Sequence, residues 1–175
     1  MLYDRILPPA LAVAISLGAC TPTLDWREFE PEDGGIVVTF PCRTDRHARQ
    51  VVVAGAAARM EMLVCEAGGA TYALAFIDVA GPAEVTSALA DLRAVAAGNL
   101  GVAEPAAEPL RVQGMTPNPM AARLRIHGRR PDGAAVQEEA AFFAKGLRVY
   151  QASVLGAALA DAVVDTFFGG LKLSS

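Results

Sequence analysis

Between residues 122 and 129 the chain alternates strictly. Ala122, Leu124 and Ile126 fall on one side, and Arg123, Arg125, His127 and Arg129 on the other. A period of two over that length does not fit a helix and requires a strand with one buried and one solvated face. Pro131-Asp132-Gly133 then supplies turn chemistry, so the strand is one arm of a hairpin whose second arm is 134–144. Pairing across this turn sets Arg125 opposite Glu139 and His127 near Gln137. A chain built around such a hairpin must close a largely antiparallel sheet.

The flanking sequence supplies the rest of that sheet. Ile36–Phe40 reads as a strand between Asp33-Gly34-Gly35 and Pro41, and 48–54 and 58–65 read as two strands around Gly55. Residues 70–78 form a fourth strand, with Tyr72, Leu74 and Phe76 on one face. Gly81-Pro82 opens a helix, with Glu84 in its first turn and Val85, Leu89, Leu92 and Ala96 at helical spacing. The proline-rich 102–119 reads as a loop with one short strand at 108–113. After 147–154, a last helix starts near Ala157, carries Leu159, Val163 and Phe167, and stops at Gly169-Gly170. Residues 21–33 read as polar and turn-like, with Trp26 and Phe29 as anchors. The expected fold is α+β, a mainly antiparallel sheet with two helices packed on one face, in the order β-β-β-β-α-β-β-β-α.

A length of 175 residues suits one domain, and a 53% hydrophobic composition can fill its core. The net charge of −4 argues against nucleic acid as a partner.

The N-terminus reads as an address. Arg5 precedes an apolar run from Ile6 to Ala19 that is too short to span a bilayer but suits a secretory signal. The run ends in Leu17-Gly18-Ala19-Cys20, which resembles the lipobox of bacterial lipoproteins. That resemblance implies cleavage before Cys20, acylation of Cys20, and anchoring in a membrane. The chain then divides into a signal peptide at 1–19, a lipidated Cys and tether at 20–33, and one periplasmic domain at 34–175. Thr21, where an Asp would retain the protein in the inner membrane, implies the outer membrane facing the periplasm, with the inner membrane as the alternative. With Cys20 lipidated, Cys42 and Cys65 remain. An oxidising periplasm and an even count predict a disulfide between them, the alternative being two separate thiols.

Sequence motifs for chemistry are sparse. CxxC, HExxH, Walker and GxGxxG patterns are absent, and Ser87, Ser153, Ser174 and Ser175 lie in no nucleophile-elbow context. No catalytic residue, metal site or cofactor is expected. Asp161 and Asp165 share a helix face, read as a solvated pair. Met60 and Met62 share a strand face, read as core, although with His47 or Met120 they could bind Cu(I). The stripe Arg123, Arg125, His127 and Arg129, with Arg130 beside it, is the candidate partner-binding surface. Its alternative is a solvated face neutralised by Glu138 and Glu139.

The element order resembles the PsbP-like fold, and the whole chain resembles short lipoproteins of Gram-negative envelopes. The residues that carry this are the lipobox, Leu24-Asp25-Trp26-Arg27, the Gly35–Pro41 strand, and Asp165-Thr166-Phe167-Phe168 with Leu171-Lys172-Leu173. The resemblance implies no catalytic residues. The expected function is a non-catalytic, lipid-anchored module that binds or assembles another envelope component. The second reading is a periplasmic carrier of a small ligand or copper.

Overall fold

The computed structural model describes residues 24–174; the expected signal peptide and Cys20 lie outside them. Seven strands form one sheet: β3 (Asp45–Val53), β4 (Ala56–Ala67), β5 (Ala70–Asp78), β6 (Ala106–Pro109), β7 (Ala122–Arg129), β8 (Ala135–Lys145) and β9 (Arg148–Gly156). Their spatial order is β3-β4-β5-β9-β8-β7-β6, and every neighbouring pair is antiparallel. A smaller sheet has the order β1-β2-β10, from β1 (Arg27–Phe29), β2 (Ile36–Phe40) and β10 (Lys172–Leu173). Two helices complete the fold, α1 (Pro82–Asn99) and α2 (Asp161–Gly169). The α+β class and the antiparallel sheet agree with the sequence reading.

The helices lie on opposite faces of the large sheet, which corrects the expectation that both pack on one. On one face Val85, Ala88, Leu89 and Leu92 of α1 bury Leu124, Ile126 and Phe142. On the other, Val164 and Phe167 of α2 join Ile36, Val38 and Phe40 of β2 over Tyr72, Leu74, Phe143 and Tyr150. The reason lies in the central strands. Every residue of β8 from Glu138 to Ala144 is buried, so both faces of the strand need a cover. One helix cannot provide it, and the small sheet shares the second face with α2. Phe167 stands edge-on to its neighbours there, 5.6 Å from Phe40 and 5.5 Å from Tyr72 between ring centroids, while Phe143 and Tyr150 stack at 5.1 Å.

Two short strands escaped the sequence reading. The stretch 24–33, read as tether, contributes β1, which pairs with β2. Its Trp26 stands edge-on to Tyr72 at 6.0 Å. At the other end β10 pairs with β2 on the opposite side. Strands of two and three residues are too short for periodicity to reveal. The α2 helix begins at Asp161 rather than near Ala157, because β9 continues to Gly156. The β3–β4 turn holds Ala54 and Gly55 at φ of 50° and 75°. This left-handed pair suits the twist of a tight hairpin but strains Ala54. The Ala54 amide donates to Asp91 Oδ2 at 2.8 Å, which fixes the hairpin tip to α1.

Candidate functional site

The hairpin register places the arginine stripe as its alternation predicts. Arg125 faces Glu139 and His127 faces Gln137. The stripe lies on the α2 side of the sheet, and the helix consumes part of it. Arg123 Nε donates to Glu139 Oε2 at 2.7 Å, its Nη2 reaches Asp165 Oδ1 at 3.3 Å, and its guanidinium lies 4.6 Å from the Phe168 ring centre. Glu139 is only 5% exposed and also accepts from Arg125 Nε at 3.2 Å. Glu139 followed by Glu108 raises the Arg125 pKa above its ordinary value. Arg129 donates to Gly133 O at 2.8 Å within its own turn. Arg123 is thus a bolt between sheet and helix, and the solvated part of the stripe is Arg125, His127 and Arg129.

Glu138 does not neutralise the stripe. It sits opposite Ile126 and Leu155 on the α1 face, 9% exposed, and burial pushes its carboxyl up to about 7. The neutralising groups are Glu139, Asp165 and Glu108. Asp165 pairs with Arg123, while Asp161 opens α2 in the first turn, where a carboxylate favours the helix dipole.

The soft ligands are dispersed. His47 stands opposite Met62 across β3 and β4, but Met60 is buried beneath Arg49, 3.8 Å from its Nη2. Met120 lies against Arg93 on α1. Among the described residues no three His, Cys, Asp or Glu side chains are placed to hold a metal ion. Ser153 faces the α1 side of β9 and His127 the α2 side of β7, so the sheet separates them.

Cys42 and Cys65 form a disulfide, with Cα atoms 5.9 Å apart. It ties the segment after β2 to β4 and so joins the small sheet to the large one. Beside it, the small sheet leaves the β3–β4 side uncovered, and a cleft of about 520 Å³ opens there. Phe29, Phe40 and Leu63 line it, with Arg27, Arg43 and Arg46 at the rim. Sequence reasoning identified Phe29 as an anchor onto the body; it is 41% exposed at the cleft.

The two sheet edges differ. β6 is four residues long and ends in Pro109, which blunts it. β3 is nine residues long, with Asp45 to Gln50 all exposed and Val52 77% exposed. Residues 43–59 carry Arg43, Arg46, Arg49 and Arg59 against Asp45, a cationic stretch in a chain of net charge −4. Glu61 takes up part of this charge. The hydrogen bond from Arg46 holds its carboxyl below the usual range.

No family model, curated protein or solved structure matches this chain. Among the described residues no helix is long and apolar enough to cross a membrane.

Proposed function

We propose that this chain is a lipid-anchored, non-catalytic module on the periplasmic side of the outer membrane that holds an envelope protein by pairing with it along β3. The observation that carries this reading is the β3 edge, a nine-residue strand paired only with β4, whose alternate N–H and C=O groups face outward. An extended segment added to such an edge gains a ladder of main-chain hydrogen bonds, and the side chains select its charge. Arg46 is already paired with Glu61 at 2.6 Å, so it is Arg49, without an ion pair among the described residues, that favours an acidic strand. The same residue opposes self-association, because two-fold antiparallel pairing centred on the strand sets Arg49 against its own copy. In this reading an acyl anchor on Cys20 would raise the local concentration of the module at the membrane.

Two experiments test it. The intact mass of membrane-extracted protein reads the anchor, and the expected species begins at Cys20 with acyl mass added. A photo-crosslinker at Ala48 of the full chain in cells is expected to map to an extended acidic segment of one envelope protein. Reversal at Arg49→Glu with Gln50→Glu should abolish that crosslink. An unchanged crosslink in this variant would refute strand docking.

A further inference from the structure

We propose that the cleft between β1 and the β3–β4 edge binds a single-chain amphiphile with an anionic head, of the fatty-acid class. This goes beyond the docking role and does not depend on it. The lining sets the apolar Phe29, Phe40 and Leu63 beside three arginines and the carboxylates of Asp25 and Glu28. A volume of about 520 Å³ lies within the range of small-molecule sites.

The charges at the rim leave one cation over. Arg27 pairs with Asp25 at 2.5 Å, Arg46 with Glu61 at 2.6 Å, and Glu28 lies 4.0 Å from Lys172. Arg43 makes no ion pair among the described residues. Its guanidinium is the group open to a carboxylate, which it can bind through two parallel hydrogen bonds. Phe29 leaves 41% of its surface in water at the same cleft, apolar area that an alkyl chain would cover.

Both walls are fixed before any ligand arrives. The β1–β2 ladder holds one, and the Cys42–Cys65 disulfide holds the other against β4. A preformed cleft orders few side chains on binding. The Asp25 amide donates to Pro41 O at 2.8 Å, so the chain enters the fold at the lip of the cleft. A membrane anchor upstream would therefore hold the cleft near the surface where free fatty acids partition.

The test uses the full chain and a palmitate carrying a diazirine in its tail. Irradiation is expected to label peptides containing Phe29, Phe40 or Leu63, with excess palmitate competing and hexadecanol competing poorly. Phe29→Ser and Arg43→Glu should each lower labelling at least fivefold, and Arg130→Glu, on the distant β7–β8 turn, should leave it unchanged. Retention of the disulfide and of Trp26 emission checks the fold of each variant, and Arg43→Glu decides if Phe29→Ser fails that check. Labelling that palmitate does not compete, that maps elsewhere, or that neither variant lowers would overturn the site. Equal competition by hexadecanol would overturn the anionic head.

Discussion

The Arg123 guanidinium and the Glu139 carboxylate meet across β7 and β8, Nε to Oε2 at 2.7 Å, with the Phe168 ring of α2 over the arginine. This contact ties the hairpin to the helix. It also decides how the arginine stripe divides between structure and surface.

Arg123→Ala should lower stability by about 2 kcal/mol, since it strips one partner from a buried carboxylate and uncovers Phe168. Asp165→Ala, which removes only the exposed acid, should cost less than about 1 kcal/mol. Urea unfolding of the two variants measures both, and equal losses would remove Arg123 from its role as a bolt.

Glu138 gives stability a pH dependence. Its carboxyl titrates near 7 in the fold against an ordinary value of 4.5, so the fold favours the neutral form. The contribution is complete below about 4.5 and is lost as pH rises through about 7. That difference is worth up to about 3 kcal/mol. Glu138→Gln should therefore raise the melting temperature at pH 8 and leave it nearly unchanged at pH 4.5. Glu61 acts in the opposite sense, because its depressed pKa gives stability that is lost as pH falls.

The disulfide closes a loop with a sequence separation of 23. Chain-entropy arguments value such a closure at about 3 kcal/mol. Cys42→Ala with Cys65→Ala should lose roughly that amount in urea unfolding, and reductant should then have no further effect.

Ala54 occupies a left-handed conformation that costs a side chain about 1 kcal/mol and costs glycine nothing. Ala54→Gly relieves that strain but loosens the unfolded chain, so it should stabilise the protein by less than about 1 kcal/mol, provided its amide keeps Asp91. Asp91→Ala should destabilise the hairpin tip, seen as faster amide exchange at 53–56.

Gly128 lies where β7 passes the end of α1, and a Cβ there would stand 2.7 Å from the Leu100 Cβ. Gly128→Ala should lower stability by about 2 kcal/mol. A thermal melt unchanged by the substitution would show that the helix end yields.

Elements with strong local signals were legible in the amino-acid order alone. Alternation at 122–129 set both the strand and the Arg125–Glu139 register, because a period of two and a short turn leave no other pairing. Pro82 and the spacing of Val85, Leu89 and Leu92 determined α1. Consecutive apolar residues at 140–144 already carried the mark of a strand buried on both sides, yet periodicity alone does not say which element covers which face. Tertiary structure decided that α1 and α2 lie on opposite faces. It also formed β1 and β10, which exist only through pairing with β2. The same holds for the cleft. Phe29, Arg43 and Leu63 are distant in sequence, and only the incomplete cover of one sheet by the other brings them together.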